Sequence, residues 1–121
     1  MPTLLVNGLK LNSMSIYFKE CEENMNEDFL AKLDNARVIA DIPFIINSAW
    51  RSAEHNEKVG GKPDSSHLKG LAVDIKVTNS RQRFIILQSL IAAGFNRIGI
   101  AKTFIHVDGD NEKDPRVTWL Y

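Results

Sequence analysis

The chain has 121 residues, 44% apolar and 25% charged, with Lys plus Arg and Asp plus Glu equal at 15 each. That length fits one domain, residues 1–121, with a core that needs no disulfide, and the zero net charge argues against a broad nucleic-acid surface. Cys21 is the only cysteine, which excludes an internal disulfide, and no apolar run approaches the roughly 18 residues of a membrane span.

Residues 1–12, MPTLLVNGLKLN, lack the basic start, long apolar stretch and cleavage site of a secretory signal. Cytoplasmic synthesis is expected, with action outside the cell requiring another release route. Asn7-Gly8 between the short apolar runs 3–6 and 9–11 predicts a hairpin, since both turn positions need positive φ. Ser13 or Ser15 is a cap for a short turn through Tyr17, Phe18 and Cys21. Met25, Phe29, Leu33, Ala36 and Ile39 recur at helical spacing, with acidic residues near the start and Pro43 as the stop. Residues 44–47 read as a buried strand.

Residues 48–70 are polar and punctuated by glycine, proline and serine, with a short helix expected at 53–59. So long an irregular stretch in a small domain is usually functional. A strand at 71–77 follows, then a helix through Phe84, Leu87 and Ile91 with Ser80 as its cap and Gly94 as its end. Two short strands are expected at 97–101 and 104–108, then a tail that is polar until Trp119, Leu120 and Tyr121. Strands and helices do not alternate strictly, so the expected class is α+β, a small antiparallel sheet with flanking helices.

Three residues stand out chemically. Asp74 sits among Leu71, Ala72, Val73 and Ile75, and His106 among Phe104, Ile105 and Val107; His67 lies just before Gly70. A charge or imidazole in such company is costly to bury unless paired. Two histidines and a carboxylate are a ligand set that zinc accepts with one position left for water. Residue types alone leave the alternative open: a hydrogen-bonded structural histidine and a turn-forming aspartate.

Residues 65–74, SSHLKGLAVD, match the pattern S-x-H-x-x-G-x-A-x-D, and His106-Val107-Asp108 matches H-x-D. Together they resemble the zinc D-Ala-D-Ala carboxypeptidases and the related phage L-alanyl-D-glutamate endolysins, which share a hedgehog/DD-peptidase fold. Residues 47–52, NSAWRS, resemble that family's S-x-Y-R-S segment, with Trp50 in place of tyrosine. The resemblance implies that His67, Asp74 and His106 bind zinc. It also implies that Arg51 stabilises the oxyanion and that Ser65 contacts substrate; the simpler reading of Ser65 is a turn-former. His55 is expected on the surface, and Trp50 and Trp119 either wall the cleft or pack in the core.

One feature departs from the family. Many members carry Glu, Asp or His two or three residues before the last zinc histidine, where this chain has Phe104 and Thr103. Asp108 is then either the catalytic base or a carboxylate that orients His106, because residues i and i+2 of a strand share a face. Glu54, Asp110 or Glu112 are other candidates for the base. The implied function is a zinc metallopeptidase acting on peptidoglycan stem peptides, of carboxypeptidase or endopeptidase type. A phage or prophage origin is expected, the working form a monomer, with no nucleic-acid or membrane partner. Two alternatives are a catalytically silent zinc module that binds wall peptides or phage structural proteins, and an α+β binding domain without metal.

Overall fold

The structure, a computed structural model, describes the backbone of residues 5–6 and 9–10 and all of residues 15–121. Strands β1 (Leu5–Val6) and β2 (Leu9–Lys10) pair antiparallel, Val6 opposite Leu9. That is the register of a two-residue hairpin, although Asn7-Gly8 itself and Ser13 lie outside the described residues. Ser15 caps the next turn, its Oγ accepting from the Phe18 N–H at 3.0 Å and donating to the buried Asp34 carboxylate at 2.8 Å.

Helix α1 (Glu27–Ala40) starts at Asn26, whose side chain accepts from the Phe29 N–H at 2.8 Å, and Glu27 and Asp28 favour the positive end of the dipole. Phe29, Leu30, Leu33 and Ala36 are buried; Ile39, at the same spacing, is 51% exposed in the last turn. The helix ends at Asp41, which adopts the left-handed conformation at φ 56°, so termination precedes Pro43. Strand β3 (Ile46–Ser48) is half-exposed rather than fully buried, because it lies at the sheet edge. Helix α2 (Ala53–Lys58) sits where expected, with Ser52 as its cap.

Helix α3 (Ser80–Ala92) is capped by Asn79 rather than Ser80. Its inward face is Ile86, Ser89 and Leu90, while Phe84 and Ile91 face outward. Ser89 is tolerated inside because its hydroxyl donates to the Ile86 carbonyl.

The remaining strands are β4 (Ala72–Lys76), β5 (Arg97–Ile100), β6 (Phe104–Asp108) and β7 (Val117–Leu120), and the sheet order is β3-β4-β6-β5-β7. The fold is α+β, but the sheet is mixed rather than purely antiparallel. β3/β4, β4/β6 and β6/β5 are antiparallel; β7 runs parallel to β5. The reason is the path of the chain: residues 109–116 carry it past the end of β5 to that strand's outer edge, so β7 returns opposite to β6. The residue pattern does not predict this strand, since four residues on an outer edge, three of them exposed, leave little periodicity.

The two faces of the sheet differ. Val73, Ile75, Ile98, Ile105 and Val107 point to one side and form the core with Phe29, Leu33, Ile86 and Leu90 from α1 and α3. Full burial of such side chains is worth about 1.5–3 kcal/mol each, and Leu33→Ala would cost about 2–5 kcal/mol. The alternate residues, Asp74, His106 and Asp108 among them, occupy the opposite face, away from α1 and α3.

Candidate metal centre

Strand periodicity brings two of the three marked residues together. In β4, Asp74 alternates with buried Val73 and Ile75; in β6, His106 alternates with buried Ile105 and Val107. Asp74 and His106 are Cα partners in the antiparallel register, so their side chains rise side by side from the same face. His106 Nδ1 lies 2.9 Å from Asp74 Oδ1.

His67 arrives from a separate device, a 3₁₀ turn at Ser66–Lys69 packed against the end of β4. Ser65 caps the turn, its Oγ accepting from the His67 N–H at 3.2 Å. Gly70 ends it at φ +70°, where a Cβ would stand 2.1 Å from the Asn24 carbonyl oxygen, so only glycine fits. His67 Nε2 then lies 3.3 Å from Asp74 Oδ1, and the imidazole centroids of His67 and His106 are 5.2 Å apart. One ligand atom from each of His67, Asp74 and His106 lies within 4.8 Å of the others.

The outer nitrogens set the tautomers. His67 Nδ1 is 2.7 Å from the Ala49 carbonyl oxygen, which can only accept, so that nitrogen carries the proton. His106 Nε2 is 2.8 Å from Asp108 Oδ2, whose partner oxygen Oδ1 accepts from Arg97 Nε at 2.7 Å. In the neutral rings, both inner nitrogens therefore aim lone pairs at the same carboxylate oxygen. Three acceptors converging in this way call for positive charge between them, which a metal ion supplies and which, without one, protons on the inner ring nitrogens supply. For a tetrahedral ion with bonds of about 2.0 Å, neighbouring ligand atoms are roughly 3.3 Å apart, close to the 2.9 and 3.3 Å that separate Asp74 Oδ1 from the two histidines. The donor set and tautomers thus fit zinc, each histidine backed by an acceptor that orients it.

The electrostatics agree. Burial would raise the Asp74 pKa, but hydrogen bonds from His106 and His67 outweigh it and hold the carboxyl well below its ordinary range. For His106, burial acts to lower the pKa, and the hydrogen bonds to Asp108 and Asp74 overcome it and raise it. Both effects mark a site arranged for positive charge beside Asp74.

Arg51 stands at the same carboxylate, Nη2 to Asp74 Oδ2 at 3.4 Å. Its Nε donates to Ser48 Oγ at 3.1 Å and Nη1 to the buried Asn56 Oδ1 at 3.3 Å. Asn56 in turn donates to the Lys62 carbonyl. The sequence does not mark Asn56 or Ser48 for these roles, because a lone polar residue in a short helix carries no sign of which way it faces.

His67, Asp74, His106, Arg51 and Ser65 line one open cleft of about 730 Å³. Trp119 is part of its wall, with its ring centroid 5.6 Å from that of His106, and Tyr121 and Phe104 extend that wall. Trp119 reaches across β5 because Gly99, in register with both His106 and Trp119, has no side chain; a Cβ there would come within 2.5 Å of Trp119 Nε1. Trp50 does not line the cleft, and His55 and Glu54 are exposed on α2.

Asp108 is 2% exposed and lies behind His106, outside the cleft lining. Its Oδ1 accepts from Arg97 and from the Asp110 N–H, and its Oδ2 faces His106. That is the position of an orienting carboxylate, one of the two roles open to it from sequence. Asp110 is buried and fully bonded, and Glu112 is exposed and paired with Lys69. Among the described residues, the carboxylates lining the cleft are Asp64 and Asp74.

A family model described as Peptidase M15 matches residues 3–108, a span that includes His67, Asp74, His106 and Asp108. No curated protein matches the chain.

Proposed function

The chain belongs to the peptidase M15 family, and on that premise we propose that it is a zinc-dependent peptidase that hydrolyses peptidoglycan stem peptides. The observation that carries the proposal is the convergence of His67 Nε2, His106 Nδ1 and Asp74 Oδ1 in an open cleft with Arg51 beside them. Zinc bound there would polarise a carbonyl and lower the pKa of a water. The remaining work falls to the chain's own groups.

Arg51 uses one N–H on each nitrogen to hold Ser48, Asn56 and Asp74. A guanidinium has five N–H donors, so one on each terminal nitrogen remains for the negative charge that develops on a carbonyl oxygen. Asp108 keeps His106 in the tautomer that presents Nδ1. Ser65 accepts from the His67 N–H and retains its own hydroxyl proton for a substrate oxygen. The cleft wall carries Arg51, Lys62, Arg97 and Lys113. Such a wall suits a peptide bearing free carboxylates, as stem peptides do, and its size suits a short peptide segment. Release of a terminal D-Ala and cleavage between L-Ala and D-Glu both fit. The biological setting we propose is a phage or prophage cell-wall hydrolase, acting as a monomer after release or as part of a virion. Among the described residues no helix is long and apolar enough to cross a membrane.

One observation favours a second reading. Phe104 is part of the cleft wall where a base is usual in the family, and Asp64 is the remaining carboxylate there beside Asp74. A catalytically silent zinc module that binds wall peptides or phage structural proteins would need no base.

Incubation of the zinc-loaded protein with defined muropeptides, with and without chelator, separates the two. Mass spectrometry should detect chelator-sensitive cleavage products. Peptide binding with no product at any zinc loading would establish the silent module instead.

A further inference from the structure

Two buried carboxylates follow His106 at alternate positions, and each meets a different histidine ligand's support. Asp108 meets His106 directly. Asp110, 1% exposed, meets the Ser66–Lys69 turn that carries His67: Oδ2 accepts from Ser66 Oγ at 2.7 Å, and Lys69 Nζ lies 3.0 Å from both oxygens. Lys113 adds a charge 3.8 Å from Oδ2 and donates to Ser66 Oγ at 3.1 Å, and Oδ1 also accepts from the Glu112 N–H. The two carboxylates are themselves linked, the Asp110 N–H donating to Asp108 Oδ1 at 3.2 Å.

We infer that Asp110 is a positioning residue for the metal centre, locking the turn that presents His67 to the end of the strand that presents His106.

The inference rests on the zinc reading above. The turn is only four residues long, and its backbone bonds to the rest of the chain include the Leu71 N–H to Ser66 carbonyl bond and the Arg51 N–H to His67 carbonyl bond. A 3₁₀ turn has poorer hydrogen-bond geometry than an α-helix and does not hold its own position well. Ser66 is the residue before His67, and Lys69 closes the same turn, so a carboxylate gripping both sets where His67 stands. A buried carboxylate with this many charged and polar partners is also costly to disrupt, which keeps the grip rigid. A ligand needs placement within about 0.5 Å to hold a metal well. Asp110 touches no ligand atom of the centre, so its effect must travel through Ser66 and Lys69.

The test is Asp110→Asn, which keeps the shape and removes the charge. Zinc affinity is read by competition with a fluorescent chelator, and the two imidazoles are followed by ¹H–¹⁵N spectra of the zinc-loaded protein. The expected result is a folded protein whose zinc affinity falls about 10- to 100-fold, the range for lost supporting groups. The His67 resonances should move while those of His106 stay close to wild type. A merely stabilising role would lower the melting temperature and leave zinc affinity and the His67 resonances unchanged, and that result overturns the inference. Should Asp110→Asn fail to fold, Ser66→Ala removes one donor and leaves the lysine pairs. It should weaken zinc several-fold in the same direction, and unchanged affinity there is equally fatal. Wild-type protein that binds no zinc would bring down the proposed function and this inference together. Zinc-binding wild type with an unaffected variant brings down this inference alone.

Discussion

Asp74 and His106 sit directly opposite one another on β4 and β6, with Oδ1 and Nδ1 meeting at 2.9 Å, and His67 reaches the same oxygen at 3.3 Å. A single carboxylate oxygen thus collects two imidazoles from residues far apart in the chain. With the ligands intact, zinc at about 100 times its dissociation constant should raise folding stability by about 2.7 kcal/mol. His67→Ala and Asp74→Ala should lose that zinc-dependent rise in melting temperature, retain no zinc by elemental analysis and show no hydrolysis. A full zinc-dependent rise in either variant would dismantle the assigned ligand set.

Arg51 is held by Ser48, Asn56 and Asp74 without being a ligand candidate itself. Arg51→Ala should keep zinc and lose kcat/KM by about 100-fold or more, as for removal of an oxyanion donor. Asn56→Ala frees one terminal nitrogen of Arg51 and should give a smaller loss of the same kind. Steady-state kinetics on a defined muropeptide measure both, and undiminished turnover by Arg51→Ala would refute its role.

The two roles of Asp108 differ in what its replacement does to metal. As an orienting group, Asp108→Ala should weaken zinc binding about 10- to 100-fold, and activity at saturating zinc should largely recover. As the base, the same change would spare zinc affinity and abolish turnover at any zinc concentration. Chelator competition combined with activity at high zinc separates these outcomes.

Gly99 leaves the space that Trp119 and Tyr121 occupy; a Cβ would fall 2.5 Å from Trp119 Nε1 and 2.7 Å from Tyr121 Cε2. Gly99→Ala should displace the aromatic wall while sparing the ligands. The expected signature is an altered Trp fluorescence spectrum and a raised KM with zinc content unchanged. Wild-type KM in Gly99→Ala would mean that the wall does not contact substrate.

Asp110 also makes a prediction about acid stability. Burial works to raise its pKa, but Ser66, Lys69 and the Glu112 N–H outweigh it, so the folded value lies below the ordinary one. A depressed carboxyl contributes stability that is complete above the unfolded value of about 3.9 and is lost as pH falls through the folded value. In metal-free protein, the stability gap between wild type and Asp110→Asn should therefore be constant from pH 7 to about 5. It should close progressively at lower pH. Urea unfolding at a series of pH values measures the gap; one that widens on acidification would contradict the assigned direction.

Much of this was legible in the order of residues. Alternation along 104–108 assigns His106 and Asp108 to one face and Ile105 and Val107 to the other, because successive strand side chains point oppositely. The same rule sets Asp74 apart from Val73 and Ile75, and Gly70 marks the break between the His67 turn and its strand. Nothing local showed that β7 would pair parallel to β5 at the outer edge, that Asn56 would turn inward to hold Arg51, or that Asp110 would grip Ser66 across 44 positions. Those features depend on which elements become neighbours, and a short edge strand or a lone polar side chain carries no periodic trace of its future partner. Residue chemistry made His67, Asp74 and His106 candidates, and the resemblance of residues 65–74 and 106–108 to a zinc-peptidase signature nominated them as ligands. Their convergence on one oxygen, their tautomers and the groups behind them came from strand register and chain path, because hydrogen bonds and coordination act over about 3 Å between residues that are in places more than 40 positions apart.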